Sequence, residues 1–464
     1  MTTLQLLQHI RLNRTVRGGD LLRFLQKDHP TTTRATMMRI IKSLGEQLVI
    51  GGTGSKTTYA ARRAIRGNSA PIPLYQIDEN GRGSQVATIE PIYPCGCLLR
   101  LSAALAWPLA DDMRDGWYFG IPYFLDDMRP QGFLGRNFAH TYADLYQVDP
   151  DPTKWKEDEI LSLLSALGAD TQGNWIIGEP AYRRYLARIQ QGYEVVLENQ
   201  IGVRYGEMAM QAMQHGIATS SAGGEFPKFT TCRMNDAQSV HVIVKFSGND
   251  STPGVQRWSD LLICEHLALS VIKQQFPFKA AKSTIYQAAG RTYLEVERFD
   301  RHGEFGRSPV CTWAAIETAM FAAGGSWIEG AKRLRSRGLI TEESLQHIIV
   351  LSMFGKLIAN SDMHDGNLAF RPAPKPGMFE LAPAFDMLPM LYAPVRGVEL
   401  PKREFKVALP LPNETKNWFT AAQAALSFWQ MASKDERVSL EFRQCSEQNA
   451  ATVKNSMALL QEPS

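Results

Sequence analysis

Four side chains able to take part in phosphoryl transfer fall within six residues of one another, Asp362, His364, Asp365 and Asn367, in the stretch ANSDMHDGNLAF at 359–370. Nineteen residues after Asn367 comes Asp386, in LAPAFDMLP. An aspartate can accept or orient the proton of an attacking hydroxyl, and an asparagine amide oxygen with a second aspartate supplies hard ligands for Mg²⁺ on a triphosphate. The stretch and Asp386 thus hold residue types for all three jobs. His364, counted with the nucleotide-side residues, is expected to pack and hydrogen-bond so as to hold the loop, not to act as the base. Each motif follows an apolar run, LIAN before the first and LAPAF before the second, which a freely solvated polar loop does not require.

A charge-compensating half of such a site lies upstream. In SSAGGEFPKF at 220–229, Gly223 and Gly224 let the backbone approach an anion, and the Ser220 and Ser221 hydroxyls can donate to it. VHVIVKFSG at 240–248 has a strand pattern in which Lys245 stands among Ile243, Val244 and Phe246, placing a cation for the α/β-phosphates of a nucleotide. The next helix, WSDLLICEHLALSVI, offers both Asp260 and Glu265 as the acid that orients this lysine, and spacing does not choose between them. YLEVERFDR at 293–301 reads as a strand running into a linker, with Glu297 and Phe299 near an adenine edge. Its Glu297, Arg298, Asp300 and Arg301 read equally well as a surface ion-pair cluster.

Together SSAGGEFPK, HVIVKF, VERFDR, NSDMHDGN and LAPAFD resemble the motifs of the HipA-like serine/threonine kinases of bacterial toxin systems, especially HipH-like single-chain members with a fused N-terminal helix-turn-helix. The resemblance covers 68–464. It implies a two-lobed protein-kinase-like core, ATP and Mg²⁺ as cofactors, and a protein bearing Ser or Thr as acceptor. It makes Lys245 the ATP-phosphate lysine, Asp362 the catalytic aspartate and Asn367 and Asp386 the magnesium-side residues, and it makes 220–228, including Lys228, the phosphate loop. Relatives can carry an inhibitory autophosphorylated serine there, which points to Ser220 or Ser221. Two departures stand out: Phe226 where the family commonly has Gln, and Met363 where its D-R-H order has Arg. The motif is also similar to the H-G-D-x-H-x-x-N of aminoglycoside-phosphotransferase-like kinases, but Asn360-Ser361 replaces His-Gly.

The elements around these motifs follow from periodicity and charge. Of 464 residues, the first 66 hold 12 basic and 3 acidic side chains, a formal +9, leaving 38 basic and 44 acidic, or −6, in the remainder. Residues 4–10, 20–27 and 34–44 carry apolar stripes of helical spacing, and Thr31-Thr32-Thr33 supplies an N-cap for the third. LVI and TTY around GGTGSK read as a hairpin. Three helices and a hairpin on a basic segment predict a winged helix-turn-helix for double-stranded DNA. Its third helix would present Arg34, Arg39 and Lys42, and Lys56, Arg62 and Arg63 would meet phosphates.

Residues 68–145, with pieces such as QVATIEPIY and CLLRL, predict a small strand-rich domain in which Asp126 and Asp127 fit a surface turn better than a metal site. The aromatic residues of KNWFTAAQAALSFWQMA read as core. Six scattered cysteines make no staple pattern. The start lacks the order of a signal peptide, and no run of about 18 apolar residues occurs, so a cytoplasmic chain with no membrane partner is expected.

The fold class expected is α/β multidomain. It comprises the winged helix-turn-helix over 1–66, the strand-rich domain over 67–150, a kinase N-lobe over 151–300 and a helical C-lobe over 301–464. Alternatives are a DNA-binding transcriptional regulator with a nucleotide-sensing kinase fold, a small-molecule phosphotransferase and a metal-dependent nuclease. Oligomerisation is left open.

Overall fold

Apolar residues at helical spacing build the N-terminal unit. Leu6, Leu7 and Ile10 of α1 (Thr3–Leu12), Leu21 and Leu25 of α2 (Gly18–Asp28), and Met37, Ile41 and Leu44 of α3 (Arg34–Leu44) bury one another. Between the first two helices, β1 (Val16–Arg17) pairs with β3 (Thr58–Ala61), which also pairs antiparallel with β2 (Leu48–Gly51). Thr33 caps α3, its Oγ1 accepting the Thr36 N–H at 3.2 Å. The computed structural model describes residues 3–214, 225–235, 238–395, 399–400 and 402–461, so Ser220, Ser221, Gly223 and Gly224 lie outside the described residues.

The middle of the chain forms an antiparallel sheet from β4 (Ile72–Ile77), β5 (Gly83–Pro91), β6 (Cys97–Leu101) and β7 (Trp117–Tyr118). After α4 (Tyr123–Asp126), α5 (Gly132–Tyr146) and α6 (Glu157–Leu167), β8 (Trp175–Ile177) joins its edge beside β4, and α7 (Glu179–Gln191) follows. The sheet thus runs past the boundary expected at residue 150, because its last strand is a three-residue piece too short to show alternation. The pair Asp126 and Asp127 is not a surface turn. Asp127 accepts the Thr312 N–H at 2.6 Å and its hydroxyl at 2.7 Å, tying this unit to the C-terminal half.

The N-terminal unit shares a core with this sheet, since Val49 and Ala60 pack with Ile92, Leu98 and Trp117. A Cβ at Gly51 would meet the Trp117 ring at 2.7 Å, so only glycine admits that approach. Arg62 pairs with Glu90 at 2.8 Å, and the buried Arg63 pairs with Glu157 at 2.5 Å and with Asp158. The phosphate contacts expected of Arg62 and Arg63 are therefore replaced by ion pairs inside the molecule. Buried guanidinium groups require carboxylate partners, and those of the middle unit are in reach.

A second sheet carries Lys245. After β9 (Val195–Val196) and α8 (Ile201–Met213) come β10 (Lys228–Asn235), β11 (Gln238–Phe246), α9 (Pro253–Gln275), β12 (Ser283–Ala288) and β13 (Arg291–Glu297). The order is β12-β13-β11-β10-β9, antiparallel except that β9 runs parallel to β10. A two-stranded pair, a three-stranded sheet in the order β16-β17-β18 and a set of helices complete the described chain: β14 (Arg301–His302), β15 (Gly306–Arg307), β16 (Cys311–Thr312), α10 (Trp313–Met320), α11 (Trp327–Ser336), α12 (Glu342–Leu357), β17 (Ala369–Pro372), β18 (Phe379–Leu381), α13 (Thr415–Lys434) and α14 (Leu440–Gln461). The Pro-rich stretch at 371–377 turns the β17–β18 hairpin. Trp418, Phe428 and Trp429 are buried, as expected of core, and Trp429 Nε1 donates to Leu357 O at 3.0 Å. All six cysteines are free.

Candidate active site

Lys245 lies on β11 opposite Lys228 of β10, on a strand where Val242, Val244 and Phe246 fill the core beneath. It is 5% exposed, and its Nζ donates to both carboxylate oxygens of Glu265 at 2.8 Å and pairs with Asp386. The fully buried Glu265 of α9 is therefore the orienting acid. Asp260, one turn earlier, is committed elsewhere, accepting the Ser439 N–H at 2.8 Å and its hydroxyl at 2.6 Å.

Burial alone would lower the Lys245 pKa, but Asp386 and Glu265 together hold it above its ordinary value. Burial pushes Glu265 up to about 7, against the pull of Lys245. Asp386 is also opposed by burial, yet Lys245 and then Lys228 keep it below the usual carboxylate range.

The catalytic-type loop is built at the end of α12. Asn360, buried, donates Nδ2 to Asp386 O at 3.3 Å and accepts the Asp362 N–H on Oδ1 at 3.0 Å. One amide thus fixes both aspartates through their backbones. Asn367 Nδ2 donates to Asp362 O at 2.8 Å, which turns its Oδ1 away from that bond. Asp386 sits at φ +53°, a left-handed backbone that aspartate tolerates better than most residues. Asp362 is exposed. His364 does not pack as expected. Its ring is exposed, Nδ1 accepts the Gly366 N–H at 3.1 Å, and its carbonyl accepts Trp327 Nε1 at 3.2 Å, so it holds the loop by hydrogen bonds alone.

At the linker, Glu297 pairs with Lys282 at 3.2 Å and the Phe299 ring lies 5.8 Å from that of Phe385. Arg298, Asp300 and Arg301 are not a surface cluster, because Asp300 and Arg301 are buried, and both arginines pair with Asp300 and with Asp170 of the middle unit. A cleft of about 500 Å³ opens beside 297–302, walled by Phe276, Phe278 and Phe299, and Lys245, Asn367 and Asp386 lie outside it. Phe226, at the end of the phosphate-loop motif, is buried against Trp258, and Lys228 pairs with Glu225 at 2.8 Å. Among the described residues no three His, Cys, Asp or Glu side chains form a ready metal cage. A donor set of one amide oxygen and one carboxylate fits Mg²⁺, which keeps waters and substrate phosphates in its shell.

A family model described as the HipA-like C-terminal domain matches residues 220–456, and one described as the middle domain of a YjjJ-like toxin matches 68–186. Toxin YjjJ of Escherichia coli (strain K12) is 34% identical over 417 residues, covering 90% of this chain and 91% of that protein. The chain belongs to the HipA-like toxin family. Among solved structures it is similar to HipA in a complex of the Shewanella oneidensis MR-1 toxin–antitoxin system with HipB and operator DNA, at 13% identity and a TM-score of 0.49, covering 83% of this chain and 95% of that one. It is also similar to the proinflammatory kinase CtkA of Helicobacter pylori, at 12% identity and a TM-score of 0.36, covering 52% of this chain and 94% of that one.

The HipA-like segment contains Lys245, Glu265, Asp362, Asn367 and Asp386, and the fold brings the last three within one hydrogen-bonded loop system around Asn360. Asn360 was missed as a functional residue, although its place two positions before Asp362 is the signal that could have found it. Arg34, Arg39, Lys42 and Lys56 lie apart from this site, all exposed on the N-terminal unit. No helix among the described residues is long and apolar enough to cross a membrane.

Proposed function

We propose that the chain is an ATP- and Mg²⁺-dependent serine/threonine protein kinase of the HipA-like toxin type, with a two-lobed core built around the Lys245 sheet and the helices after residue 312. The observation that carries this reading is Lys245 held between Glu265 and Asp386, with Asn360 linking Asp386 to Asp362. Asp362 orients the acceptor hydroxyl and takes its proton. The acceptor oxygen forms a bond to the γ-phosphorus as the bond to the β-phosphate's bridging oxygen breaks, and ADP leaves. Lys245 and Lys228 bring positive charge to the phosphates, with Ser220, Ser221, Gly223 and Gly224 as the loop around them. Asn367 and Asp386 would hold Mg²⁺, which when bound neutralises charge on the phosphates.

The 297–299 backbone serves the adenine edge, with Glu297 and Phe299 beside it. Ser220 and Ser221 are the autophosphorylation candidates. A phosphate there adds about 1.5 to 2 negative charges at neutral pH beside the nucleotide phosphates and should lower activity.

Residues 1–66 are a winged helix-turn-helix that binds double-stranded DNA through Arg34, Arg39, Lys42 and Lys56, as in a HipH-like single-chain member, and the chain works in the cytoplasm. Transfer of radiolabel from ATP, compared between the wild type and Asp362→Ala, tests the kinase reading. A general base is worth about 10²- to 10⁴-fold in rate. A folded Asp362→Ala with near-normal transfer would remove Asp362 from its role.

A further inference from the structure

The linker at 298–301 joins the sheet bearing Lys245 to the elements bearing Asp362, and its arginines are gripped from outside. Arg301, 7% exposed, donates Nη1 to Gly173 O at 2.8 Å and to Asp300 Oδ2 at 2.7 Å, and Nη2 to Asp170 Oδ1 at 2.8 Å and to Thr171 O. Arg298 donates to Asp300 through Nε at 3.1 Å and Nη2 at 3.0 Å, reaches Thr171 O at 3.3 Å, and lies 3.6 Å from Asp170. Asp300 accepts the Gly173 N–H at 2.9 Å. Arg307 donates to Ala169 O at 2.7 Å with Asp170 4.0 Å away. The outside acceptors of these three guanidinium groups all come from one loop, 169–173, between α6 and β8.

Three guanidinium groups therefore face two carboxylates, and Asp170 is the one the middle unit contributes. Although packing against the guanidinium groups costs it some hydration, the Asp170 side chain is still 40% exposed, and Arg301, Arg298 and Arg307 hold it well below the usual carboxylate range. Burial and Arg301 push Arg307 down to about 10, while Asp170 acts the other way.

We propose that Asp170 is a positioning residue for the nucleotide, an inference that rests on the kinase reading above. Without it, Arg298 and Arg301 are left to share Asp300 and Arg307 loses its one nearby carboxylate, so the linker loses the shape in which its 297–299 backbone meets an adenine edge. Lys245, Asp362, Asn367 and Asp386 make no contact with Asp170 and keep their arrangement. The effect should fall on ATP binding and spare the chemical step.

The experiment measures initial phosphorylation rates of the full chain against ATP concentration, beside direct binding of a fluorescent ATP analogue. Asp170→Ala should raise the KM for ATP about tenfold and weaken analogue binding in parallel, with kcat at saturation within about twofold of wild type. Asp170→Glu, which restores the charge, should recover most of the loss. Unchanged KM in a variant with a cooperative melt would overturn the proposal, and so would a fall in kcat at constant KM. Should Asp170→Ala not fold, Asp170→Asn, which keeps an acceptor for Arg301, decides by the same KM criterion. A wild type that neither binds the analogue nor transfers phosphate rejects the kinase reading and this proposal with it, an outcome distinct from an active wild type with an indifferent Asp170.

Discussion

Met363 lies over Gly355, close enough that a Cβ at residue 355 would meet Met363 Sδ at 2.5 Å and Cε at 2.8 Å. The residue that departs from the family's usual Arg is thus an apolar plug, seated on the bare backbone of α12 beside Met387 and next in sequence to Asp362. The atoms a new methyl would strike are the ends of flexible side chains, so Gly355→Ala should cost stability little, within about 1 kcal/mol, partly offset by alanine's helix preference. Its effect should appear in turnover, because Met363 must move and Asp362 moves with it. A thermal melt close to wild type with kcat reduced several-fold is the expected pair of results. A reduced melt with full turnover would mean that Met363 is packing alone.

Asn360 offers a sharper separation of roles. Its side chain bonds two backbone groups, Asp386 O and Asp362 N, and makes no claim on either carboxylate. Asn360→Ala leaves both groups without that partner, a loss of about 1 to 3 kcal/mol for each one that stays buried and unsatisfied. The predicted outcome is a lower melting temperature together with a large loss of kcat, although neither carboxylate has been touched. Asn360→Asp, which keeps the acceptor for Asp362 N but loses the donor to Asp386 O, should retain the Asp362 link alone and show the weaker magnesium dependence. Titration of activity against Mg²⁺ distinguishes the two variants.

Glu265 carries a pH signature whose sign follows from burial. Its pKa in the folded chain is about 7 against an ordinary 4.5, so between those values the native state binds more protons than the unfolded one. Stability contributed through this group therefore falls as pH rises from 4.5 to 7. Asp386 and Lys245 shift away from that window, the first downward and the second upward, and do not mask it. In Glu265→Gln the titration is gone. The difference in melting temperature between variant and wild type should move in the variant's favour from pH 5 to pH 8, even if the variant is less stable at both. A difference independent of pH would show Glu265 ionised throughout.

That Asp362, Asn367, Asp386 and Lys245 belong to one region could be read from the sequence, the first two from one short motif, Asp386 from a second nineteen residues on, and Lys245 from an alternating strand. What was not readable depends on distant partners. Asp260 and Glu265 are both buried on α9, a helix buried on most of its faces, so periodicity marks no functional side. Ser439, far along the chain, claims the first and Lys245 the second. Arg62 and Arg63 looked like part of a basic surface for the same reason, since Glu90, Glu157 and Asp158 become their neighbours only on folding. Strand β8 has three residues, and no pattern survives at that length.

Those internal ion pairs change how DNA binding by the N-terminal unit should be tested. Deleting residues 1–66 would strip Val49 and Ala60 from a shared core and leave Glu157 without Arg63 and Glu90 with Arg100 alone, so lost binding there would not distinguish a missing surface from a damaged fold. The exposed residues Arg34, Arg39, Lys42 and Lys56 allow a cleaner experiment. Replacing Arg34, Arg39 and Lys42 together by Ala removes three charges from one helix without touching the core of Met37, Ile41 and Leu44. If they meet phosphates, the slope of log affinity against log salt should become shallower by about 0.9 for each phosphate no longer neutralised, while autophosphorylation stays at the wild-type rate. Arg39→Ala alone should weaken binding more than Lys375→Ala, in the remote Pro-rich hairpin. An unchanged slope and affinity in the triple variant would place the DNA surface elsewhere or remove DNA from the function of this chain.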